Sequence, residues 1–248
     1  MTNKYMYFIA NWKMFGSLNS LKSLDKFIKF FKNFKKNTYS KIIYCPPTTL
    51  INPMIKKLKK TRIQIGAQNC HESQNYGAFT GSINAKMLKE VGATYVIIGH
   101  SENRQEGETD KLVNNKIKSA LKSGLKVIFC IGETLKEKKT KKTKKLLSKQ
   151  IKLGLNKIKN NKNIIIAYEP IWAIGSGKIP LLEEIADIGS FLNKELISLG
   201  QKQDEITILY GGSVNTSNAK QILQLESISG LLIGGASLDE KQFLEIIG

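Results

Sequence analysis

The stretch "NIIIAYEPIWAIGSGKIP", residues 163–180, runs through Ile164 to Ala167 without alternation and then sets Glu169 beside Pro170. An unbroken apolar run implies a strand covered on both faces, as in a parallel sheet rather than a half-wet antiparallel one. Proline cannot donate to a sheet ladder and biases the residue before it towards extended backbone, so the strand is expected to end at Glu169. A carboxylate is thereby placed at the carboxyl end of a buried strand, where α/β proteins keep their chemistry. A single glutamate at a strand end could equally lean out to solvent, so the rest of the chain has to decide.

Outward from this stretch, similar runs recur at "YMYFIAN" (5–11), "KIIYCPP" (41–47), "RIQIGAQ" (62–68), "TYVIIGH" (94–100), "KVIFCIGE" (126–133), "ITILYGG" (206–212) and "GLLIGG" (230–235). Helical stripes lie between them, for example Leu21, Leu24, Ile28 and Phe31. Eight strand-then-helix units in 248 residues predict an α/β protein built as one closed (β/α)8 barrel. With 5 prolines and no linker-like tract, a single barrel domain over residues 1–248 is expected. An open doubly wound sheet is disfavoured because the first strand continues into Asn11, Trp12 and Lys13, not into G-x-G-x-x-G.

The formal charge of +19, from 39 Lys plus Arg against 20 Asp plus Glu, suggests an anionic partner, but its distribution does not. The densest basic run, residues 136–159, keeps Leu147, Ile151, Leu155 and Ile158 on one helical stripe with its lysines on the remaining surface. It contains no interleaved aromatics, so a solvated helix face is expected and specific nucleic-acid binding is not. No segment approaches 18 apolar residues and the N-terminus lacks the apolar core of a secretion signal, so neither membrane nor export is expected. Cys45, Cys70 and Cys130 are scattered and odd in number, which fits reduced thiols in a cytoplasm. With two histidines in the chain, His71 and His100, no metal site is expected.

A barrel converges its strand ends on one mouth. They carry Asn11 and Lys13, His100 with Glu102, Glu133, Glu169, Gly211 to Ser213, and Gly234 with Gly235. The "YGGS" and "IGG" turns can aim backbone N–H groups at an anion, with a short helix expected to begin near Ser237, so they suit a phosphate. A carboxylate, an imidazole and an ammonium remain for removing a proton next to a carbonyl, with charge developing on oxygen.

From end to end the chain resembles the triosephosphate isomerase family, through "ANWKM", "GAQN", "GAFTG", "VIIGHSE", "CIGE", "AYEPIWAIGSG", "YGGSV" and "LLIGGASL" in order. The resemblance implies interconversion of dihydroxyacetone phosphate and D-glyceraldehyde 3-phosphate through an enediolate, with no cofactor and no metal. This family is a standard example of acid and base groups tuned by their surroundings, and the resemblance implies Glu169 as base and neutral His100 as electrophile. If His100 stays neutral, its partners at the mouth should include no anion close enough to hold it charged. It further implies Lys13 and Asn11 as stabilisers of the enediolate, Glu102 as support, and segment 170–180 as a lid. Gly175, Ser213, Gly234 and Gly235 would hold the phosphate. A homodimer is implied through the loop of residues 69–81. The alternative reading is another barrel enzyme for a small sugar phosphate, which would need a Schiff-base lysine on a barrel strand or paired aspartates.

The chain departs from the family pattern where a glutamate and an arginine usually pair across the dimer: it has Ser82 and Asn103. Losing both together leaves no unpaired charge buried. Leu192 and Asn193 in the seventh helix, and Ser227 and Ser229 before the last strand, are further departures. These put the strength of the dimer and the stability in question, not the reaction.

Overall fold

The computed structural model describes residues 5–33, 39–159 and 162–248. Among them Ile164–Tyr168, the unbroken apolar run before Glu169, pairs in parallel with Lys126–Ile131 on one side and Ile208–Tyr210 on the other. In chain order the strands are β1 (Met6–Asn11), β2 (Ser40–Cys45), β3 (Gln64–Ala67), β4 (Tyr95–Ile98), β5 (Lys126–Ile131), β6 (Ile164–Tyr168), β7 (Ile208–Tyr210) and β8 (Gly230–Ile233). Each pairs with the next and β8 pairs with β1, closing an eight-stranded parallel barrel. The helices between are α1 (Leu24–Asn33), α2 (Thr48–Leu58), α3 (Ala85–Glu90), α4 (Ser101–Gln105), α5 (Asp110–Lys122), α6 (Leu135–Lys139), α7 (Thr143–Gly154), α8 (Leu182–Ser198), α9 (Ala219–Leu223) and α10 (Glu240–Ile247).

The absence of alternation in the strands has a direct cause, since the barrel has two apolar layers. Ile9, Ile43, Ile97, Ile128, Ile165 and Leu209 belong to one cluster inside the barrel. Their strand neighbours Phe8, Ile42, Val96, Val127, Ile166 and Ile208 belong to a second cluster shared with the helices. Successive side chains point to opposite faces of a strand, and here both faces are buried.

The basic run departs from a continuous helix. It is divided into α6 and α7, because Lys141 sits in the left-handed region at φ 55° and its N–H bonds to Lys138 O at 3.0 Å. The apolar stripe survives: Leu147, Ile151 and Leu155 are buried and Ile158 packs against them partly buried. Leu21 and Leu24 are buried and Ile28 is partly so, whereas the side chain of Phe31 lies outside the described residues. Strand β7 takes only Ile208–Tyr210 of the expected run 206–212, and a 3₁₀ turn at Gln203–Glu205 precedes that run.

Candidate active site

The pleat aims most of the site. Inside β6 the inward residues are Ile165 and Ala167, so the next inward position is Glu169. The same count from Ile9 reaches Asn11 and Lys13, from Leu209 reaches Gly211, and from Leu232 reaches Gly234. His100 breaks this rule, because counting from Tyr95 and Ile97 puts Gly99 inward. Gly99 has φ +76°, and a Cβ there would stand 3.0 Å from Cys130 O, so only glycine fits. The left-handed turn shifts the phase by one residue and brings His100 to the mouth.

There a cavity of about 430 Å³ is lined by Asn11, Lys13, His100, Glu169, Ser213 and Gly234 among others. Glu169 is 2% exposed; its Oε1 lies 3.1 Å from His100 Nε2 and its Oε2 accepts the Ser101 N–H at 3.2 Å. His100 Nδ1 accepts the Glu102 N–H at 3.3 Å. Lys13 Nζ donates to Glu102 Oε1 at 2.6 Å. Glu102 itself stands outside the cavity wall with its side chain 52% exposed, tying Lys13 to the His100 turn.

Lys13 occupies φ 51°, an uncommon conformation for a residue with a Cβ. Asn11 Oδ1 accepts the Lys13 N–H at 3.1 Å, and Gln68 Nε2 donates to Lys13 O at 2.8 Å. Such backbone costs of order 1–3 kcal/mol and persists where neighbours over-determine it. Gln68 thus positions Lys13, a role that "GAQN" did not reveal because its partners are 23 and 55 residues away.

The expectation that no anion faces His100 is overturned. Burial is the largest single influence and lowers its pKa, but Glu169 against Nε2 and Glu102 beyond Nδ1 together outweigh it, and the net direction is upward. The carboxylate of Glu169 is turned onto the imidazole by a contact between strand ends far apart in the chain, which strand-end residue types do not encode. The phosphate turn also differs in detail. The short helix near β8 is a 3₁₀ turn at Gly235–Ser237, ending at Ser237 instead of beginning there, because the Ser237 N–H and Oγ both donate to Gly234 O, at 2.9 and 2.7 Å.

Residues 175–179 are exposed, while both ends of the segment are anchored. At its start the Ile171 N–H bonds to Glu133 O at 3.0 Å, Trp172 Nε1 donates to Glu133 Oε1 at 2.9 Å, and Ser213 Oγ donates to Ala173 O. Tyr168 Oη shares Glu133 Oε1 at 3.2 Å. Burial raises the Glu133 pKa, partly offset by the Trp172 and Tyr168 hydrogen bonds. Glu133 therefore serves the base of the exposed segment and does not line the cavity, an outcome its strand-end position alone could not give.

Fold and cavity define the class: a (β/α)8-barrel enzyme whose strand ends bring a carboxylate, an imidazole and an ammonium to one mouth beside two glycine turns. The sequence profile of triosephosphate isomerase matches residues 6–248. The triosephosphate isomerase of Aquifex aeolicus is 44% identical over 210 residues, covering 84% of this chain and 85% of the relative. That of Thermodesulfovibrio yellowstonii is 41% identical over 244 residues, covering 97% and 98%. The crystal structure of the Bartonella henselae triosephosphate isomerase superposes with a TM-score of 0.88 at 38% identity, covering 98% of this chain and 97% of that one. The chain belongs to the triosephosphate isomerase family. Its reaction is the interconversion of dihydroxyacetone phosphate and D-glyceraldehyde 3-phosphate, an aldose–ketose isomerisation of glycolysis. Among the described residues no helix is long and apolar enough to cross a membrane, and no three of His, Cys, Asp and Glu cluster as a metal site would need.

Proposed function

We propose that Glu169 is the base that moves the proton between the two substrate carbons. The observation that carries this reading is that Glu169, His100 and Lys13 meet in one cavity, with Glu169 Oε1 3.1 Å from His100 Nε2. In that arrangement the carboxylate is held back by the imidazole and by Ser101 N–H. A substrate carbonyl that accepts the Nε2–H hydrogen bond of His100 in place of Glu169 removes one of those bonds and releases Glu169 towards the adjacent C–H. Negative charge then develops on the substrate oxygens, where His100, Lys13 and Asn11 are placed to stabilise it, while Glu102 positions Lys13.

The phosphate would be held by N–H groups of Gly175, Ser213, Gly234 and Gly235. Binding at this non-reacting end would draw residues 170–180 over the mouth as a lid. A coupled assay with D-glyceraldehyde 3-phosphate is expected to show turnover in the wild type that collapses in Glu169→Gln with KM little changed. Equal turnover in the two would remove Glu169 from the reaction.

The same reading makes residues 1–248 one domain and the functional unit a homodimer through loop 69–81. Support comes from that loop's Tyr76 and Phe79, 57% and 49% exposed, and from Met14, 94% exposed. Large apolar side chains at such exposure in neighbouring loops suit a partner surface. Sedimentation should give a dimer, weakened for want of charges at Ser82 and Asn103. A cytoplasmic setting is supported by the three unpaired, buried thiols of Cys45, Cys70 and Cys130, and would be checked by fractionating cells that express the protein. The exposed lysines of α6 and α7 are read as a solvated face, without a specific nucleic-acid partner.

A further inference from the structure

The buried stripe of α7 contains one polar residue that does not reach the cavity. Leu147, Gln150, Ile151 and Gly154 are the buried positions of that helix, and Gln150 is 6% exposed. Burying an amide costs free energy unless both of its ends are bonded. Here both are, and to a single residue: the Gly132 N–H donates to Gln150 Oε1 at 3.0 Å, and Gln150 Nε2 donates to Gly132 O at 3.2 Å. Gly132 is the first residue past β5, where the strand ladder no longer serves it, and among the described residues its N–H and C=O have no other partner. The helix comes this close because Gly154, one turn further along the same face, has no side chain; a Cβ there would stand 2.7 Å from Phe129 Cε1 in β5.

What rests on Gly132 is the carboxyl end of β6. Ile131 O accepts the Glu169 N–H at 2.8 Å, and a Cβ on Gly132 would overlap the Glu169 carbonyl, standing 2.7 Å from its carbon. On the far side of Gly132, Glu133 O accepts the Ile171 N–H at 3.0 Å and the Glu133 carboxylate accepts the Trp172 indole N–H at 2.9 Å. Three consecutive residues past the middle of β5 therefore set the backbone of Glu169 and of the first residues of segment 170–180. The middle one is held from α7.

We propose that Gln150 is a positioning residue for the isomerisation: by clamping Gly132 it fixes the backbone that aims Glu169. The proposal rests on Glu169 being the base. A side chain that only filled space at this position could be apolar, like its neighbours Leu147 and Ile151. An amide whose two ends match the N–H and the C=O of one glycine sets direction as well as volume. Without it those two groups are left buried and unpaired, Gly132 shifts to find partners, and the Glu169 carbonyl packed against it shifts too. A misplacement of about 1 Å at a reacting group is enough to slow the chemistry.

Gln150→Met keeps the length of the side chain and removes donor and acceptor together. With D-glyceraldehyde 3-phosphate, well below the melting temperature, kcat is expected to fall about tenfold while KM changes by less than about twofold. Ile151→Val is the control, because it trims the same buried stripe without removing either bond to Gly132; it should lower the melting temperature and leave kcat as in the wild type. NMR titration of His100 gives a second readout. Glu169 Oε1 stands 3.1 Å from His100 Nε2, so displacing the carboxylate should move the imidazole titration downward in Gln150→Met and leave it in place in Ile151→Val. If Gln150→Met does not fold, Gln150→Asn carries the same test, since its shorter amide cannot span both groups of Gly132. The proposal is overturned if a folded variant turns over as the wild type, or if its His100 titrates unmoved. It is overturned as well if both variants unfold while Ile151→Val does not, which would make Gln150 a residue of stability alone. Full turnover in Glu169→Gln would instead remove the base, so the two failures are distinct.

Discussion

The two ends of the candidate site are built in opposite ways. At the reacting end Asn11, His100 and Glu169 are all 5% exposed or less; Asn11 and His100 each accept an N–H from two residues further on, and Glu169 accepts the Ser101 N–H from the end of β4. At the lid Gly175 and Gly177 have positive φ, and a Cβ on either would meet nothing within 4 Å. Proton transfer tolerates little error in the position of the base, so its carrier is packed. Capture and release would require backbone that moves, and between its anchors the proposed lid is exposed and carries only local bonds, Ser176 Oγ to Trp172 O at 3.0 Å and Lys178 N–H to Ser176 Oγ at 3.2 Å.

The sharpest way to break this comparison is at the packed end. Glu169→Gln keeps the shape and the Ser101 hydrogen bond but removes the basic oxygen, and kcat is expected to fall by about 10³-fold, the scale of general-base loss. A fall of only a few-fold in steady-state turnover would show that rigidity there serves something other than proton transfer.

Next comes the lid. Deleting residues 174–177 and rejoining the chain should leave a folded barrel with isomerase activity lower by about 10²-fold. The enediolate carries a phosphate on the neighbouring carbon and in water expels it to form methylglyoxal, which a closed lid would prevent by excluding water and holding the C–O bond in the enediolate plane. Phosphate released per substrate consumed should therefore rise in the deletion. A ratio equal to the wild type would mean that the lid does not shield the intermediate.

A smaller effect separates motion from contact. Gly175→Ala meets no atom, so its cost is the left-handed backbone alone, about 1 kcal/mol. That strain falls on whichever lid position keeps φ positive and should change kcat by about fivefold, with the melting temperature nearly unchanged. A loss like that of the deletion would locate a side-chain clash the structure does not contain.

The smallest effect concerns His100. Its raised native pKa means that folding favours the charged imidazole. That stabilisation is fully present below the unfolded value of about 6.5 and is lost as pH rises through the native one. His100→Gln should therefore cost more stability to urea at about pH 5.5 than at about pH 8. In Glu169→Gln the largest raising influence is gone, and NMR titration of the His100 ring should move downward. An unmoved titration would show that the two side chains are not coupled.

The barrel was legible because each strand is written as a run that both layers bury, and because Pro170 marks where one of them stops. Every predicted strand is present, and the residues expected at the mouth line it, apart from Glu102 and Glu133. What the sequence concealed lies in long-range contacts and in single dihedral angles. The Glu169–His100 approach joins different strands, Gln68 holds Lys13 from 55 residues away, and the phase shift at Gly99 and the break at Lys141 are left-handed residues in otherwise regular patterns. Of these, only the glycine carries a local signal.

The bonds from Ser101 and His100 to Glu169 can also be read as an equilibrium between a parked and a working carboxylate. A ligand that gains nothing from releasing Glu169 binds the parked form and leaves the base where it is. A substrate whose phosphate draws the lid down binds the working form better, and its apparent affinity is its intrinsic one reduced by the fraction of molecules already released. The parked population then acts as a discriminator. On the proposed roles, a triose without phosphate would enter the mouth and reach His100 yet lack the differential affinity that shifts the base into place, so the barrel would withhold its chemistry from the wrong sugar without needing to exclude it.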